Sequence, residues 1–92
     1  MDFAASVGIP GREKGKPVNQ QIEEWVQLVQ KASTLVYTHI SYPQHWLGGT
    51  EVWLQPIPLL ARVAPVSGKL KLMTGIIQMP MYNPVDIAEQ AA

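Results

Sequence analysis

His39 and His45 are the only histidines of the chain. Imidazole titrates nearest neutrality of the side chains and is the commonest metal ligand. A metal site built on them needs a further donor, and Glu51 is the nearest carboxylate in sequence. The plainer reading predicts no metal site. His39 falls near the expected C-terminus of a helix, where its charge would complement the dipole, and His45 stands beside Trp46 as a turn residue. Ser6, Ser33, Ser41 and Ser67 lie in no nucleophile-elbow pattern. Glu23 and Glu24 are adjacent, so on a helix they point about 100° apart rather than at one substrate. No catalytic residue and no cofactor site is assigned on these grounds, and the chain reads as non-enzymatic.

The run Gly11-Arg12-Glu13-Lys14-Gly15-Lys16 looks superficially like a phosphate loop but lacks the Gly-Lys-Ser/Thr ending and has no strand before it. What it does offer is phosphate contact from Arg12, Lys14 and Lys16, with two glycines that let backbone approach a nucleic acid. Aromatic and apolar side chains make the second group of candidates. Trp53, Ile57, Leu59, Leu60, Met79 and Met81 are read as partner-binding, because they lie on proline-interrupted stretches with more apolar surface than one short helix would cover. Trp25 is expected in the core.

These residues need elements to hold them. Residues 1–18, with Gly8, Pro10, Gly11, Gly15 and Pro17, show no period and read as an extended arm ahead of a single small domain at 19–92. Asn19 is a suitable N-cap, and Ile22, Trp25, Val26, Val29, Ala32, Val36 and Ile40 recur at helical spacing. The stretch 34–42 is β-branched and fits helix or strand; continued helix is favoured, since no glycine or proline ends it before Pro43. Gly48-Gly49 and Ser67-Gly68 predict two hairpins. Pro56 and Pro58 make the ribbon from Glu51 to Leu60 an edge strand or an extended segment. Lys69 to Leu72 alternates as a strand with a bulge near Gly75, and Asn83-Pro84-Val85-Asp86 opens a short C-terminal helix. The expected fold is α+β: one long amphipathic helix, then a small antiparallel hairpin or meander region.

Composition narrows the function classes. Of the 92 residues 47% are apolar and 15% charged, and seven Lys plus Arg balance seven Asp plus Glu, so the chain has no net field toward nucleic acid or an anionic membrane. The absence of cysteine removes disulfides and thiolate chemistry. No apolar run is long enough to span a membrane, and the start lacks a basic n-region and an apolar core for a signal peptide, which predicts a cytoplasmic or virion location. With apolar surface in excess and no catalytic set, the expected role is a structural or assembly subunit of a large multi-protein particle, such as a minor capsid, cement or connector protein of a virion. Its partners would be protein subunits, in a homo-oligomer or a larger hetero-assembly. The alternatives are a non-catalytic accessory subunit of an enzyme complex and a nucleic-acid-binding module using residues 12–16.

Overall fold

The structure, a computed structural model, describes residues 1–6 and 8–92. Val7, inside the expected arm, lies outside the described residues. Strand and helix alternate along the chain: β1 (Ala4–Ala5), α1 (Val18–Ser33), β2 (His39–Tyr42), α2 (Pro56–Val63), β3 (Lys71–Thr74) and α3 (Pro84–Ala91). Short 3-10 turns follow at Ala64–Val66 and Met79–Met81. The mixed α+β class holds. The antiparallel arrangement does not: the three strands form one parallel sheet in the order β1-β2-β3, with Ala5 beside Ile40 and Ile40 beside Leu72.

The stripe predicted for α1 is buried, with Trp25, Val26, Val29 and Ala32 facing inward. The helix begins at Val18 with Pro17 as N-cap, rather than at Asn19, and ends at Ser33 without a glycine or proline. Hydroxyls end it instead. Ser33 Oγ donates to the Gln30 carbonyl and Thr34 Oγ1 to that of Lys31, both at 2.7 Å, while the amides of Thr34 and Leu35 turn back three residues. The favoured continuation of the helix through 34–42 is thereby corrected, and the β-branched residues enter β2.

The proline ribbon is the second correction. Residues 56–63 are helical because Pro56 and Pro58 lie in the first turn, where an amide has no intrahelical acceptor to lose. Pro56, Leu59, Leu60 and Val63 then fall on one buried face. Neither predicted hairpin forms: Gly48-Gly49 lies in the loop from β2 to α2, and Ser67-Gly68 turns the chain into β3. Gly75 follows the last residue of β3 rather than bulging within it. The N-terminal segment is not a free arm, since Ala4 and Ala5 add a strand to the sheet and Ala5 is buried. The C-terminal helix forms as predicted, with the Asn83 side chain accepting from the Val85 amide at 2.9 Å and Pro84 in the first turn.

One core joins α1, α2 and one face of the sheet, with Trp25, Val29, Ile40, Tyr42 and Val63 at its centre. Alternation along the strands sends Ala4, His39, Ser41, Lys71 and Met73 to the opposite face, where they stay half-buried or exposed. Among the described residues, no helix is long and apolar enough to cross a membrane.

Candidate active site

In a parallel sheet all strands end on the same edge, so the loops that follow them converge there. Here the described residues of those loops are 6 and 8–17, 43–55, and 75–83. The middle one is contacted by both of the others. From the first loop, Arg12 forms a two-point ion pair with Glu51, with Nε and Nη2 each 3.1 Å from a carboxylate oxygen. Its guanidinium also lies 5.0 Å from the centre of the Trp53 ring. From the third loop, the Gln78 amide donates to Gln44 Oε1 at 2.7 Å, and the Tyr82 hydroxyl bonds with the side chains of Gln44 and Gln55. Gln44 Nε2 donates to Gln55 Oε1 at 3.0 Å, closing a network around the buried Gln44 amide.

His45 lies between these two anchored ends. Its ring packs on Trp53 with centroids 4.2 Å apart, and Trp46 meets Tyr82 edge-on at 6.1 Å. His45, Trp46, Glu51 and Trp53 line an open cleft of about 460 Å³, with Gly48 and Gly49 at its rim. A smaller apolar hollow of about 250 Å³, walled by Ile57, Ile77, Tyr82 and Ile87, shares Trp46 and Gln55 with it. Leu47 at the cleft has φ 51, in the left-handed region. For a residue with a branched side chain this is a strained conformation, of the kind that collects at functional sites.

The charges at this edge are held in fixed pairs. The Arg12 bonds keep the Glu51 carboxyl below its ordinary range against the opposing effect of desolvation, and Trp53 and His45 add smaller contributions in the same direction. Lys16 bridges Glu13 and Glu24 at 2.8 and 2.9 Å; the bonds to these two carboxylates raise its pKa, and its bond to Glu24 lowers that of Glu24. Two of the three cations read as phosphate contacts, Arg12 and Lys16, therefore have carboxylate partners within the chain, and Lys14 is exposed.

The residues read as partner-binding are scattered by the fold. Leu59 and Leu60 are core residues, because the ribbon is an amphipathic helix that turns them inward, and this corrects their assignment to a docking surface. Trp53 belongs to the cleft, Ile57 is half-buried beside it, and Met79 and Met81 are exposed on the third loop. His39 is in β2 rather than at a helix end, with Nδ1 2.8 Å from Thr38 Oγ1. Among the described residues, no three His, Asp or Glu side chains gather as a metal site. The sequence reads His45 as a turn residue and assigns no site role to Gln44 or Tyr82. The signal that would have found them is the alternation of strand, loop and helix, which puts every such loop at one edge.

A sheet of parallel strands alternating with helices, with an imidazole and aromatic rings at its C-terminal edge, is an arrangement found among enzymes. The chain matches the luciferase-like monooxygenase family over residues 2–92 and belongs to that family. It is similar to limonene 1,2-monooxygenase of Rhodococcus erythropolis, at 24% identity over 90 residues that make up 98% of this chain and 23% of that protein. The chain thus spans about a quarter of the length of the curated relative it matches. No solved structure matches it. Membership of an enzyme family overturns the non-enzymatic reading, and with it the virion or assembly subunit, the accessory subunit and the nucleic-acid module. The apolar excess taken for a partner surface is in large part the buried faces of α1 and α2.

Proposed function

We propose that the edge formed by the three loops is part of the active site of an oxygen-inserting enzyme that acts on a small, largely apolar organic substrate. The observation that carries this reading is the convergence of Arg12, His45, Trp53 and Tyr82, from three separate loops, at the C-terminal ends of the strands of a monooxygenase-family chain. In such a reaction one atom of dioxygen enters the substrate and the other leaves as water. A reductant of the reduced-nicotinamide class supplies two electrons and one proton as a hydride, and the second proton comes from solvent. Dioxygen is activated by a bound group, for which flavin, haem, copper and non-haem iron are the known kinds. The side chains here suit a planar organic group, with the exposed Trp46 offering an aromatic surface and Gln55 an amide at the cleft. When bound, that group supplies the activated oxygen.

The chain's own residues would do three things. A ring nitrogen of His45 takes up or delivers a proton, the task for which imidazole is best matched at neutral pH. The hollow walled by Ile57, Ile77 and Ile87 receives apolar substrate and limits water. The Gln44–Gln55–Tyr82 network fixes the second loop against the third, which keeps the rings in register.

The test supplies the full-length protein with a reduced nicotinamide, isotopically labelled dioxygen and a panel of small alkenes that includes limonene. Product mass reports incorporation of the label. The expected result is one labelled oxygen per product molecule, with turnover falling by about 10²-fold in His45→Ala. Products without label, or a His45→Ala variant with undiminished turnover, would overturn the reading.

A further inference from the structure

Arg12 is read from the sequence as a phosphate contact, yet its guanidinium joins two loops through a two-point ion pair and a ring contact. We propose that Arg12 is a positioning residue for the His45–Trp53 pair, joining the first strand-end loop to the second so that the cleft is preformed; this rests on the reading of the cleft as an active site. The geometry starts from buried Gln21 on α1. Its Oε1 accepts from the amides of Gly11 and Glu13 at 2.8 and 3.1 Å, and its Nε2 donates to the carbonyls of Glu13 and Lys16 at 3.0 and 2.8 Å. Four bonds from one side chain hold the loop on both sides of Arg12.

The two loops then meet at Gly11. Its carbonyl accepts from the Val52 amide at 3.3 Å, and its φ of 95 places it where only glycine is unstrained. A Cβ there would lie 3.1 Å from Val52 Cβ and closer still to the Val52 carbonyl oxygen. From this anchored backbone Arg12 reaches Glu51 with two parallel bonds and rests on the Trp53 ring, whose neighbour in turn is His45. A guanidinium is suited to this dual task because it is planar: it can bond a carboxylate along one edge while its face or another edge approaches a ring. Lysine has one point of charge and cannot do both.

The full-length protein is compared with Arg12→Ala, Arg12→Lys and Glu51→Gln. Fluorotryptophan labelling gives Trp25, Trp46 and Trp53 separate fluorine resonances, and the ring-proton shifts of His45 are followed with them. The expected result is that Trp53 and His45 signals move in Arg12→Ala and in Arg12→Lys, while Trp25, in the core, stays in place. Turnover falls about tenfold with KM changed by no more than about twofold, the pattern of lost alignment rather than lost substrate binding. Unmoved Trp53 and His45 signals would overturn the proposal, as would moved signals with undiminished turnover in a protein whose parent oxygenates. Moved signals in a protein whose parent oxygenates nothing would uphold the Arg12 contact and retire the monooxygenase reading. If Arg12→Ala fails to fold, Arg12→Lys and Glu51→Gln carry the same readouts.

Discussion

Gly48→Ala is a small change with a sharp consequence. A Cβ at position 48 would lie 2.5 Å from Trp53 Nε1 and nearer to Cδ1, whereas ordinary carbon contacts begin at about 3.5 Å. The backbone at Gly48 is not among the positive-φ positions, so alanine is tolerated there and the whole burden falls on the indole. Trp53 must then withdraw by about 1 Å, away from His45 on one side or from Arg12 on the other. A displacement of that size in a catalytic constellation costs up to about 10²-fold in turnover. Stability should change by about 1 kcal/mol or less, because Gly48 is exposed and Trp53 only half-buried. Gly49→Ala is the control. A Cβ there meets nothing within 4 Å, but φ is 68, so it costs about 1 kcal/mol through the backbone and leaves Trp53 in place. Fluorine resonances of labelled Trp53, thermal unfolding and steady-state turnover separate the two cases. A Gly48→Ala protein with an unshifted Trp53 resonance and full turnover would refute the steric argument.

The remaining predictions concern groups at fixed places in the fold. Among the described residues the buried Tyr42 hydroxyl and Trp25 Nε1 form no well-aligned hydrogen bond, the Leu54 backbone giving the hydroxyl only a weak contact, so Tyr42→Phe should raise stability by about 1 kcal/mol, seen as a higher Tm. Burial also raises the Tyr42 pKa above its ordinary 10.0, so the stability linked to the neutral hydroxyl is complete below pH 10 and is lost as pH rises through the folded value; Tyr42→Phe should remove this component from the alkaline limb of a Tm-against-pH curve. Gln21→Leu leaves four loop groups unpartnered and should destabilise by about 2 kcal/mol in denaturant unfolding, while exposing residues 11–16 to hydrogen exchange. Glu51 has its pKa depressed, so the stability from its pair with Arg12 is complete above its ordinary 4.5 and is lost as pH falls through the lower folded value; acid should release Trp53 in that window, and Glu51→Gln should abolish this step.

What could be read from the sequence was local. The stripe from Ile22 to Ala32 and the Asn83-Pro84 opening each specify an element within a few residues, and both helices formed. The strands were harder. Val36 and Ile40 continue the helical period of α1, and only the hydroxyl caps at Ser33 and Thr34 end it. Pro56 and Pro58 read as helix breakers until their place in the first turn is known. Parallel pairing leaves no turn signal, since Ile40 and Leu72 are joined through a helix rather than a hairpin. The site is non-local in the same way: Arg12 and Glu51 are 39 positions apart, and only the shared edge of the sheet brings them together.

The order β1-β2-β3 also bears on how the chain is made. Each strand pairs with the next one along the chain, Ala4 with His39 and His39 with Lys71, so the two closures span nearly equal lengths. The entropy of closing a loop grows only with the logarithm of its length, and neither closure is favoured over the other on that account. A nascent chain can therefore seat β2 against β1, with α1 laid over them, while β3 is still unmade. Each later strand finds its partner already in place, so the order of synthesis and the order of assembly coincide.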